Sequence, residues 1–195
     1  MQKFNLTVAS IPKKFVWFRV AKVGTRSTLA ALRNGVENFD LEQGFAVPYD
    51  ASDYKNYFKF AFVRNPYERI ISGWNDKIVL GNKGGMINSK EMKKNLNFDY
   101  FIKWLSDQNM QEVNIHFRPQ SYLLPVDLDF LGHMESFATD LSFVLNEIGI
   151  DIFGSVPHRN KKLRASSNEI ISKSSKIIIQ DLFSEDFERF GYKYD

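Results

Sequence analysis

Two short segments of this chain carry the residue types that handle anions. The first, Lys22 to Thr28 (KVGTRST), brings a lysine, a glycine, an arginine and three hydroxyls together. Gly24 lets the backbone approach a ligand closely, Thr25, Ser27 and Thr28 offer O–H donors, and Lys22 offers a compact positive charge. The second, Phe62 to Trp74 (FVRNPYERIISGW), sets Arg64 eight residues before Ser72. Arginine gives a forked pair of hydrogen bonds to a phosphate and serine adds one more, so Arg64 and Ser72 are read as holding one anion. The bland readings are a capped surface turn for the first segment and an Arg64–Glu68 ion pair for the second. A nucleoside triphosphatase needs G-x-x-x-x-G-K-[ST] with its lysine near the end; here the lysine comes first, which counts against kinase chemistry.

Anion loops of this kind need a strand behind them and a helix in front. Phe15 to Val20 (FVWFRV) is rich in aromatic and β-branched residues and reads as a first strand; Thr28 to Asn34 carries helix formers and ends against Gly35. Phe58 to Val63 (FKFAFV) repeats the strand signature, and Asn65-Pro66 starts a helix with Glu68 in its first turn and Ile70, Ile71, Trp74 and Ile78 at helical spacing. Further on, Phe98 to Leu105 and Phe137 to Ile148 read as amphipathic helices, with a short strand expected over Asp129 to Gly132. Glu169 to Phe190 reads as a helical run broken near Ser184, whereas Gly81 to Asn97 and the basic stretch Val156 to Ser167 read as loops. Strands alternating with helices predict an α/β fold, a P-loop-like parallel β-sheet flanked by helices, with ligands at the carboxyl ends of the strands.

The 195 residues are enough for a single domain, which is the expected organisation over 1–195. Apolar residues make up 44% and charged residues 25%, the balance of a folded globular chain. The net charge of +3, with acids scattered among the bases, argues against nucleic acid as a partner. With no cysteine there is no disulfide and no thiolate nucleophile, and the cytoplasm is the expected location. No stretch has the apolar length of a membrane span, so no transmembrane anchor is expected.

In their order, strand, K-x-G-T-R-S, helix, then strand, V-R-N-P-x-E-R-x-x-S, helix, the two segments resemble the sulfotransferases that use 3′-phosphoadenosine 5′-phosphosulfate (PAPS), and most of all their carbohydrate-sulfating branch. The likeness continues more weakly through Ile115 to Leu124, Phe130 to Leu145, Pro157 to Lys162 and the ending Asp186 to Tyr192 (DFERFGY). It implies that Lys22, Val23, Gly24, Thr25, Arg26, Ser27 and Thr28 bind the 5′-phosphosulfate and that Arg64 and Ser72 bind the 3′-phosphate. A loop at the place of Val156 to Ser167 closes over PAPS in that branch, which points to Arg159 and Lys161 as further contacts. Golgi members of the branch carry an amino-terminal anchor and often cysteines, so the resemblance implies a bacterial, cytoplasmic relative.

The chemistry implied is in-line transfer of a sulfuryl group to an acceptor hydroxyl, on a glycan or glycolipid, with no metal. A cation beside the oxygen that leaves lowers the barrier, and Lys22 is the expected one. The hydroxyl must lose its proton, a service a positioned base provides for about 10²- to 10⁴-fold. His116 is the leading candidate, because the resemblance places its segment near the acceptor and imidazole suits proton transfer near neutral pH. Glu37 and Asp40 are the alternatives, from a stretch between the two loops that also holds Glu42, Asp50 and Asp53. His133 is read as structural, Glu135 and Asp140 as helix-start acids, and Trp17, Trp74 and Trp104 as core before ligand-stacking rings. The competing functions are a nucleotide-dependent phosphotransferase and a non-catalytic module that binds polyanions through the basic loop.

Overall fold

A computed structural model describes residues 2–9, 13–34, 41–81, 96–150 and 171–194 of the chain. Five strands, β1 (Lys3–Ala9), β2 (Phe15–Phe18), β3 (Glu42–Pro48), β4 (Phe58–Val63) and β5 (Phe130–His133), form one sheet in the order β3-β1-β2-β4-β5. The helices are α1 (Thr25–Asn34), α2 (Pro66–Trp74), α3 (Phe98–Ser106), α4 (Phe137–Glu147), α5 (Lys173–Leu182) and α6 (Ser184–Arg189). The backbone groups into two units, Met1–Arg64 with Leu123–Lys161, and Asn65–Tyr122 with Lys162–Asp195.

The first unit holds the whole sheet with α1 and α4. The α/β class expected from the alternation of strands and helices is therefore borne out. β2, β4 and β5 run parallel, with Phe15 opposite Phe58, Phe18 opposite Ala61, Phe60 opposite Phe130 and Val63 opposite His133. β1 pairs antiparallel with both β2 and β3 and so runs against the other four strands. Neither β1 nor β3 is evident in the sequence, which makes β2 the second strand and not the first.

Every residue of β2 is buried, which fits a central strand whose FVWF run has no polar face. Trp17 stacks on Phe60 with centroids 6.2 Å apart and planes 4° from parallel, so it is a core residue. α4 packs on β4 and β5, where Phe62 of β4 meets Phe137 and Phe130 of β5 meets Phe143 at centroid distances of 5.2 and 4.7 Å. The Tyr49 hydroxyl donates to Asp127 Oδ2 at 2.6 Å, and Lys59 lies 3.7 Å from the same carboxylate. Burial, then the bonded Asp127, pushes the Tyr49 phenol above its ordinary range.

The second unit is helical. α2 starts where Asn65 Oδ1 accepts from the Tyr67 amide at 2.9 Å and Pro66 fills a position that needs no donor. It continues into a π-helical turn, Asn75–Val79. α3 is capped by Asn97, whose Oδ1 accepts from the Tyr100 amide. The apolar faces of α2, α3, α5 and α6 meet in a cluster that includes Tyr67, Phe101, Phe117, Ile179, Phe183 and Phe187. Each such side chain, fully buried, contributes about 1.5–3 kcal/mol. The expected break in the C-terminal helical run falls at Phe183, between α5 and α6.

Candidate active site

The first loop leaves the carboxyl end of β2 and enters α1 through an unusual backbone. Lys22 has φ +72° and Gly24 φ +77°, both in the left-handed region. For glycine that costs nothing, but for lysine it costs roughly 1–2 kcal/mol, a strain that survives only where neighbouring structure enforces it. The enforcement is visible. The Gly24 carbonyl accepts from the amides of Ser27 at 2.8 Å and Thr28 at 3.0 Å, and Thr25 Oγ1 donates to the Val20 carbonyl at 2.7 Å. Val23 is buried at 1% exposure and pins the loop to the core. The Thr28 hydroxyl points back to the Gly24 carbonyl at 3.3 Å and the residue is fully buried. Thr25 and Thr28, read from sequence as donors to a ligand, here donate to main-chain carbonyls, as hydroxyls in the first turn of a helix commonly do. Ser27 is 5% exposed, while Arg26 is open to solvent and Lys22 partly so.

Arg64 is the first residue beyond β4 and is half-buried. Since β2, β4 and β5 are parallel and in register, the turn bearing Lys22, the Arg64 position and His133 all emerge at the same ends of adjacent strands. Lysine, arginine and the amides at the head of α1 give that edge a concentration of positive charge suited to an anion. His133 is half-buried, and its backbone N–H donates to Asp140 Oδ2, which also accepts from Ser136 Oγ. Asp140 thus holds the start of α4, as the sequence suggests.

In the helical unit, Ser72 lies in the second turn of α2 and is 3% exposed. His116 lies in a turn between α3 and Ser121, partly exposed. Its amide and its ring Nδ1 both meet Asn114 Oδ1, at 3.0 and 2.6 Å. The Asn114 carbonyl accepts from the amides of Phe117 and Arg118 at 2.8 and 3.1 Å, and the Arg118 guanidinium folds back on the Val113 carbonyl.

Three residues that sequence reasoning did not single out hold this turn. Arg69, 1% exposed, donates to the carbonyls of Arg118 at 2.8 Å and Ile115 at 3.0 Å, bridging the segment that carries His116. The fully buried Asp186 carboxylate accepts from the amides of Gln120 at 2.8 Å and Ser121 at 2.7 Å, and Arg189 donates to the Ser121 carbonyl at 2.9 Å. Both motif fragments, the E-R of the second loop and the D-F-E-R of the ending, therefore act on one turn.

Glu37, Asp40, Arg159 and Lys161 lie outside the described residues. Glu42 sits exposed at the start of β3, and Asp50 accepts from the Ser52 amide and hydroxyl in a local turn, which lowers its pKa. Trp74 meets Phe98 edge-on and Trp104 stacks on Phe101, so both pack against the helical core. Among the described residues no group of three His, Cys, Asp or Glu is placed to hold a metal ion, and no helix is long and apolar enough to cross a membrane.

A family model described as the sulfotransferase family matches residues 7–193. Carbohydrate sulfotransferase 10 of Xenopus laevis is 30% identical over 170 residues, covering 71% of this chain and 48% of that protein. Carbohydrate sulfotransferase 14 of Danio rerio is 25% identical over 163 residues, covering 71% and 44%, and carbohydrate sulfotransferase 12 of Xenopus laevis is 28% identical over 174 residues, covering 71% and 40%. The chain spans less than half the length of each of these relatives. No solved structure gives a significant match.

Proposed function

The chain belongs to the sulfotransferase family, and on that premise we propose that it transfers a sulfuryl group from PAPS to a hydroxyl of a carbohydrate or glycolipid acceptor. The observation that carries this reading is Lys22. A non-glycine residue kept at φ +72° two residues before Gly24, just ahead of α1, is strain at a place where an anion is expected. Its ammonium is the cation for the oxygen that departs with the nucleotide, and the amides at the start of α1 take the 5′-phosphosulfate. Arg64 is assigned to the 3′-phosphate with Ser72 from the motif they share, and Arg159 and Lys161 join them on the family likeness.

The residues present fit such a donor: Lys22 and Arg64 follow the carboxyl ends of neighbouring parallel strands, beside the head of α1. When bound, PAPS supplies the sulfuryl group. The chain's own part is to fix the donor phosphates, meet the charge that develops on the leaving oxygen with Lys22, and take the acceptor's proton with His116. The carbohydrate in the names of the relatives supports the acceptor class, and the absence of cysteine supports the cytoplasm as the place of action.

Calorimetric titration with 3′-phosphoadenosine 5′-phosphate, set against ADP with magnesium, tests the reading. Loss of a charged hydrogen-bonding group is worth about 1.5–3 kcal/mol, so Arg64→Ala should weaken the 3′-phosphorylated nucleotide about tenfold to 150-fold and leave ADP unchanged. Preference for the magnesium nucleotide would sink the proposal and restore the phosphotransferase reading.

A further inference from the structure

The Asn114–His116 turn contains more information than the identity of a candidate base. Two nitrogens converge on one atom of Asn114: the His116 backbone amide at 3.0 Å and the ring Nδ1 at 2.6 Å. An amide side chain presents oxygen or nitrogen, and which one faces a neighbour has to be argued from its partners. A backbone N–H only donates, so the atom it meets is the oxygen. An oxygen in that place accepts from the ring as well, and Nδ1 therefore carries the ring proton. In the neutral imidazole the other nitrogen, Nε2, is then the one with the basic lone pair.

We infer that Asn114 is a positioning residue that holds His116 as its Nδ1–H tautomer and so makes Nε2 the atom that accepts the acceptor hydroxyl's proton. The role as base rests on the sulfotransferase reading above; the tautomer does not. In the transfer step the acceptor oxygen bonds to sulfur, its O–H proton passes to Nε2, and the bond from sulfur to the nucleotide oxygen breaks with the electron pair leaving on that oxygen. Asn114 keeps the ring from presenting its N–H to the acceptor, in which orientation it has no lone pair to offer.

The turn is built to keep this arrangement. Besides its side chain, Asn114 uses its own carbonyl to accept from Phe117 and Arg118, so the residue is anchored at both ends of the motif. Arg69, buried, ties the carbonyls on either side of His116, which fixes the backbone from which the ring projects. Arg69 and Arg118 both donate to main-chain carbonyls of the turn, Arg69 to those of Ile115 and Arg118, and Arg118 to that of Val113.

The test uses the full chain, ¹⁵N-labelled. Long-range ¹H–¹⁵N spectra distinguish the two tautomers of each of the three histidines, and His116→Gln assigns the signal. The expected wild-type spectrum at neutral pH is Nδ1–H for His116, retained in Asn114→Asp, which keeps an acceptor oxygen, and shifted toward Nε2–H in Asn114→Leu. With PAPS and a carbohydrate acceptor, Asn114→Leu should lose at least about tenfold in kcat, part of the roughly 10²- to 10⁴-fold that a positioned base supplies. Its acceptor KM and its affinity for 3′-phosphoadenosine 5′-phosphate should stay within twofold. An Nε2–H tautomer in the wild type, or full kcat in Asn114→Leu, overturns the inference. A wild type that ignores the 3′-phosphorylated nucleotide overturns the sulfotransferase reading instead, and the spectra still decide the tautomer.

Discussion

Replacing Gly24 by alanine separates two costs that the loop after β2 combines. At φ +77° an alanine occupies the left-handed region at roughly 1–2 kcal/mol. Its Cβ would also stand 2.7 Å from Phe137 Cε2 and 2.9 Å from Met134 Sδ. Met134 can swing aside, but Phe137 is 3% exposed and wedged against Phe62, so the clash must be relieved by shifting backbone or ring, an overpacking cost of about 1–3 kcal/mol. The sum is about 2–5 kcal/mol. Gly149 is the control, because it shares the sign of φ at +71° and the same unit, yet its added Cβ would meet only Lys13 methylenes at 3.9 Å and beyond, an ordinary contact. Any entropy gained from a stiffer unfolded chain is common to both variants and cancels. Urea unfolding should therefore put the Gly24→Ala midpoint about 0.5–1.5 M below that of Gly149→Ala, taking a slope of about 2 kcal/mol per molar. Coincident midpoints would refute the steric half of the argument and leave only the backbone term.

Lys22→Ala and Lys22→Gly should both lose about 10²- to 10³-fold in kcat for sulfuryl transfer. Thermal unfolding should find the glycine variant more stable by about 1 kcal/mol, since it sheds the left-handed strain that alanine keeps. Asp186→Ala strands the amides of Gln120 and Ser121, at about 1–3 kcal/mol for each buried donor. Denaturant unfolding should show the loss and hydrogen exchange should quicken at those two amides, while unchanged exchange there would count against the hold we assign to Asp186. Tyr49 has its pKa raised in the folded state, so the stability it supplies is complete below the unfolded value of about 10 and fades as pH rises through it. Tyr49→Phe should flatten the alkaline limb of stability against pH, and identical limbs in the two proteins would rule that out.

Which parts of this architecture could be read from the sequence follows from where local signal and tertiary pairing coincide. β2, β4, α2 and α3 announce themselves because their apolar runs and caps act within a few residues: FVWF, FKFAFV, Asn65-Pro66 and Asn97. β3, EQGFAVP, carries a glycine, a terminal proline and mostly exposed residues, and it is a strand only because β1 pairs with it. β1 alternates imperfectly and needs partners on both sides. That Lys22, Gly24 and Arg64 follow the ends of strands was legible from the apolar runs before them. Spacing alone does not say that Thr25 and Thr28 donate to main-chain carbonyls, because that depends on the path of the turn. Arg69 and Asp186 were hidden for a different reason: their partners are backbone groups 46 and 66 residues away, and backbone groups carry no sequence signal.

That last separation has a consequence in time. The turn bearing His116 is held at Gln120 and Ser121 by a carboxylate made 66 and 65 residues later. At a synthesis rate of about 5–20 residues per second, roughly 3–13 s pass between the two on the ribosome. Through that interval the turn lacks the carboxylate and rests on Arg69, Arg118 and the bonds of Asn114. A nascent chain can thus complete β4 and α2 well before the hold on Gln120 and Ser121 exists, so the last stage in ordering this turn waits for α6.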